Sequence, residues 1–156
     1  SLSITKLSVD HCLLSEPLYP SFVPLLRHLT CDDPSDKTLR SVLPLAPQIT
    51  SLTIGNSCPT SQIHRLISAS TSLTTISISS VDFCHLNDGS CNVIKERLEV
   101  ITVRAGRFLD FSNLSECIAG SKVLKKVILD GLALTTRRGQ TNRIADLKKV
   151  VEACKK

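Results

Sequence analysis

An apolar triplet spaced x, x+3, x+5 recurs six times along the chain: Ile4/Leu7/Val9, Leu26/Leu29/Cys31, Ile49/Leu52/Ile54, Leu73/Ile76/Ile78, Leu98/Ile101/Val103 and Leu124/Val127/Leu129. Their starts lie 22, 23, 24, 25 and 26 residues apart, so one structural unit repeats at a nearly constant period. Each triplet predicts a short strand with alternate side chains turned inward. Three intervening segments carry apolar residues at i, i+3, i+4 and predict helices: Leu39/Val42/Leu43, Ile63/Leu66/Ile67 and Leu114/Cys117/Ile118. Each triad ends six residues before the next strand triplet begins. Asp36, Thr60 and Ser112 stand where helix N-caps are expected, and Gly120 suits a C-terminal cap. A strand, a crossover helix and a parallel strand form a βα unit.

One such unit cannot bury its own apolar face, so successive units must stack and share a core. The predicted fold is therefore an α/β solenoid of six βα repeats, a curved horseshoe with a parallel sheet inside and helices outside. Two crossovers depart from the pattern. Pro17, Pro20 and Pro24 leave room in residues 15–25 for a short helical turn at best. Asn87-Asp88-Gly89-Ser90 reads as a turn, which allows only a brief helix before Leu98. A further triad, Leu147/Val150/Val151, would place a seventh strand at about residue 157, just beyond Lys156. Residues 1–156 are thus expected to be one repeat domain cut from a longer protein.

Composition sharpens this picture. Apolar residues make up 42% of the chain but aromatics only 3%, with no Trp or Met, so the core must be built from Leu, Ile and Val. No apolar run approaches the length of a membrane span, and no signal peptide is visible at the N-terminus. The seven cysteines contain no Cys-x-x-Cys pair, and several fall on apolar repeat positions. They read as reduced, buried thiols of a cytoplasmic or nuclear protein. Structural zinc would want closely spaced cysteine pairs. In His11-Cys12, His28…Cys31 and Cys84-His85 the thiol is expected inward and the imidazole outward or in a loop, so no metal, cofactor or catalytic role is assigned.

Charge is uneven. Residues 1–94 carry 5 basic and 7 acidic groups, net −2, and residues 95–156 carry 14 and 7, net +7. A basic C-terminal half, including the loop Thr135–Gln140, could attract nucleic acid or another anionic surface.

The L-x-x-L-x-L pattern covers all six units, with an apolar residue at repeat position 11 in Leu14, Phe83, Phe108 and Leu134. Residues Ile4–Cys12 also place a cysteine at position 9. On these motifs the chain resembles leucine-rich repeat proteins of the ribonuclease-inhibitor-like superfamily, most of all F-box leucine-rich repeat proteins. In that family the F-box binds the adaptor of a cullin–RING ubiquitin ligase and the repeats choose the substrate. This chain holds no F-box-like segment, so one would have to precede residue 1. The resemblance implies a non-enzymatic protein-binding module whose concave face is lined by Lys6, Ser8, Asp10, His11, Arg27, His28, Thr30 and Asp32. It continues through Thr50, Thr53, Asn56, Thr74, Ser77, Ser79, Glu99, Thr102, Arg104, Lys125, Ile128 and Asp130. Along the stack this reads as mixed charge, then a neutral Ser/Thr floor, then basic groups. A sensor or inhibitor repeat domain of an intracellular receptor would share the same features.

Overall fold

The computed structural model describes residues 3–10, 14, 16–55, 59–79, 86, 88–104, 111–131 and 148–152. Six strands form one parallel sheet in sequence order: β1 (Lys6–Asp10), β2 (His28–Asp32), β3 (Ser51–Ile54), β4 (Thr75–Ser79), β5 (Val100–Arg104) and β6 (Lys126–Asp130). Helices alternate with the later strands: α1 (Asp36–Val42), α2 (Thr60–Ala69), α3 (Asp88–Arg97) and α4 (Phe111–Ile118). This α/β arrangement is compatible with stacked βα repeats.

Corresponding residues pair across the sheet. The column Leu7, Leu29, Leu52, Ile76, Ile101 and Val127 runs through every strand at matched register. From β2 to β5 all triplet residues are buried, while Ile4, Leu7, Leu124, Val127 and Leu129 of the terminal units are only partly covered. Buried and less buried residues alternate along β3 and β5. A parallel sheet covered on both faces would instead show continuous apolar strands. The helices therefore cover one face, and the other is open.

The first residue of each triplet does not belong to its strand. Leu26, Ile49 and Leu73 are buried, but their amides close turns onto the carbonyls of Val23, Ala46 and Ser70. The odd spacing from x to x+3 requires this, because strand side chains repeat with period 2 and only x+3 and x+5 can share a face. The expectation that the whole triplet is strand is corrected accordingly.

Local chemistry sets the crossovers. At α1 the cap is Ser35, whose Oγ accepts the amide of Thr38 at 3.0 Å. Asp36, expected there, instead pairs with Arg40 one turn on at 2.7 Å. Pro44 and Pro47 lack an amide proton, and from Leu43 to Gln48 the chain runs as a 3-10 helix. Pro59 is the cap residue of α2, and Ser112 lies inside α4. Gly120 follows α4 at φ +79°, the left-handed conformation a glycine takes without Cβ strain. As the prolines predict, residues 16–25 hold turns rather than a helix.

Two expectations fail. Asp88, Gly89 and Ser90 do not break the chain but open α3, which runs ten residues. Ser90 is fully buried there, and its hydroxyl meets Nδ1 of His64 on α2 at 2.9 Å. That tertiary contact holds a segment whose local composition favours a turn. Cys91 and Cys117, expected as free thiols, form a disulfide between α3 and α4. Cys31 is a free buried thiol, as expected. In the last helical segment Val150 is buried but Val151 is exposed. No helix among the described residues is long and apolar enough to cross a membrane.

Candidate partner-binding face

The strand register sorts the exposed side of the sheet into three rows. The first is Lys6, His28, Ser51, Thr75, Val100 and Lys126. The middle row is Ser8, Thr30, Thr53, Ser77, Thr102 and Ile128. The third pairs Asp10 with Asp32, then Ser79 with Arg104 and Arg104 with Asp130. The middle row contains every residue expected for it. Of the third, Asp10, Asp32, Arg104 and Asp130 lie as expected, but Ser79 is buried at 6% exposure and is removed from the partner-facing set. Asn56, His11, the other Cys–His pairs and the basic loop at 135–140 lie outside the described residues.

The first row corrects the sequence reading most. Ser51, Thr75, Val100 and Lys126 were missed there, and Arg27, Thr50, Thr74, Glu99 and Lys125 were named instead. These five stand one residue before the strands, where they tie neighbouring units together. The carbonyls of Thr5, Arg27, Thr50, Thr74 and Glu99 each accept two amides from the following unit, at 2.8–3.1 Å. The hydroxyls of Thr50 and Thr74 reinforce this by donating to the preceding Arg27 and Thr50 carbonyls at 3.3 and 3.2 Å. Lys125 and Glu99 form an exposed ion pair at 2.9 Å. The Arg27 guanidinium turns back to the carbonyls of Leu26 and Pro24 at 2.7 and 3.1 Å. The outward positions are those one residue to either side of the inward x+3 and x+5, namely x+2, x+4 and x+6, and x+2 gives this row in every unit.

Charge therefore runs along the strands, not along the stack. Lys6, Arg27 and Lys126 lie at the strand starts, with Lys125 offset by Glu99. Asp10, Asp32, Asp33 and Asp130 lie at or just past the strand ends, with Arg104 as the one cation among the described residues there. Arg104 reaches across β4, where its guanidinium donates to the carbonyl of Ile54 at the end of β3. That contact marks a limit between the acidic end of β1–β2 and the rest of the row.

Gly55 positions Asp32. Its amide donates to the Cys31 carbonyl at 2.6 Å, drawing the ends of β2 and β3 together. A Cβ at Gly55 would lie 1.8 Å from Oδ1 of Asp32 and 2.7 Å from its Cα. The second clash is with backbone and no rotamer relieves it. Gly55→Ala is expected to destabilise the fold by about 1–3 kcal/mol, read from the urea midpoint. Adding Asp32→Gly should recover only the part due to the carboxylate.

The sheet separates Cys31 from His28. His28 is on the open face, whereas Cys31 faces the core, where burial pushes its thiol up to about 12. A thiol so protonated is a poor nucleophile and ligand. Among the described residues no group of three or more His, Cys, Asp or Glu side chains could hold a metal ion. Among the described residues the face is mostly Ser and Thr hydroxyls, with Val100 and Ile128 toward one end and charges along both margins. No protein-family model matches this chain, nor does any curated protein or solved structure.

Proposed function

We propose that the six units are leucine-rich repeats in a solenoid, and that the open face of their sheet recognises a partner protein without catalysis of its own. The observation that carries this reading is the register. It presents like positions of successive strands as rows of mostly polar groups, nearly all exposed or half-buried, on the face of the sheet opposite the buried apolar residues. Such a surface forms only when the units are stacked, so selection for binding and for folding act on the same repeat. The repeat pattern favours the substrate-recognition part of an F-box-type ubiquitin ligase adaptor.

The test is a pair of variants. Thr53→Arg with Ser77→Arg places two long cations in the middle of the open face. Lys37→Glu with Arg65→Glu alters exposed positions on α1 and α2 instead. Proximity labelling from the full-length gene product should lose its specific partners in the first variant and keep them in the second. Recovery of a cullin–RING adaptor with both would support the ligase assignment. Equal partner recovery from both variants would refute the face.

A further inference from the structure

We infer that the β1–β2 end of the open face holds an extended segment of the partner, bearing an acidic residue and, four positions along, a lysine or arginine. This rests on the partner-recognition reading and deepens it. Lys6 is in register with His28, Ser8 with Thr30, and Asp10 with Asp32. All but the half-buried Thr30 are exposed. The array is thus basic, neutral and acidic in consecutive rows. Rows two residues apart are spaced about 6.6 Å, so the outer rows stand about 13 Å apart.

An extended peptide repeats its own side chains at that same interval. Its residue i meets Lys6 and His28, a small residue at i+2 passes over the two hydroxyls, and residue i+4 meets Asp10 and Asp32. Shape and charge both select this occupant. The middle row at this end has no apolar group, so an amphipathic helix finds nothing there to bury. A helix also needs about nine residues to cover the same distance. A phosphate backbone or anionic membrane would be attracted at the strand starts but repelled by the carboxylates at the strand ends. Asp10 and Asp32 are the adjacent carboxylates of this row among the described residues, since Arg104 on the Ile54 carbonyl stands between them and Asp130, and this pair sets where the segment sits.

The probes are two fluorescein-labelled nonapeptides of one composition, acetylated and amidated. In one, Glu and Lys are four positions apart; in the other they are adjacent and so project to opposite sides. At low salt the spaced peptide should bind about threefold tighter, because it engages both ends of the array at once whereas the adjacent pair engages one end at a time, and each exposed charge contact is weak. Asp10→Asn with Asp32→Asn should erase that preference and leave the effect of replacing lysine by glutamine in the peptide near zero. Lys6→Gln with His28→Gln should do the same for the peptide's glutamate. Equal affinity of the two peptides, or a preference unmoved by these substitutions, overturns the inference. So does tighter binding of a single-stranded oligonucleotide at the same array. If the peptides bind equally but Thr53→Arg with Ser77→Arg still loses the partner protein, this inference falls and the face reading stands.

Discussion

Replacing Ile76 by alanine is expected to lower the unfolding free energy by about 3–5 kcal/mol. Ile76 is fully buried near the start of β4, an inner strand of the sheet, between Leu52 and Ile101, which are also fully buried. Backbone pairing on both sides keeps those neighbours from collapsing into the space left behind, so the cavity persists and adds to the lost transfer energy. The column makes its own control. Val127 holds the same position in β6 but is only partly covered. Val127→Ala is expected to cost about 1 kcal/mol. Urea unfolding of both variants measures the contrast. Equal losses would mean that the central unit is no better packed than the last one, against the burial of Ile76 and the partial cover of Val127.

Reduction of the Cys91–Cys117 bond is expected to destabilise the chain by about 3.5 kcal/mol. The two residues are separated by 26 positions, and opening a loop of that length restores the corresponding freedom to the unfolded chain. Urea midpoints with and without reductant test this, and Cys117→Ala should reproduce the reduced midpoint in either condition. Hydrogen exchange should rise first in α3 and α4, which the bond joins. Coincident midpoints would show that the two sulfurs remain thiols in solution. The outcome also bears on location, since the cytoplasmic or nuclear reading was drawn from reduced cysteines and this pair does not support it.

Much of the architecture was legible because it is periodic. A triplet recurring at 22–26 residues with helical triads in fixed phase leaves little choice but parallel strands joined by crossovers. The prolines at 17, 20 and 24 marked the crossover that holds turns and no helix among the described residues. Errors arose where a local signal met a tertiary contact. Asp88-Gly89-Ser90 has turn composition, yet burial of Ser90 against His64 makes it the first turn of α3. Asp36 looks like a helix cap, yet Ser35 one residue earlier has the extended backbone that lets its side chain reach Thr38. Ser79 belongs to the outward row by count but is covered in the folded chain.

The candidate face was legible in its middle row and misjudged at one margin. A one-residue slip exchanged Ser51, Thr75, Val100 and Lys126 for residues that brace adjoining units, and with it turned the charge gradient through a right angle. The amino-acid order alone determined which side chains must be shielded from water and how often the unit recurs, because apolar spacing is a property of one strand or helix at a time. Which polar groups stand beside one another, and which cysteines meet, was decided only when the strands paired and the helices packed, because lateral register joins residues some two dozen positions apart.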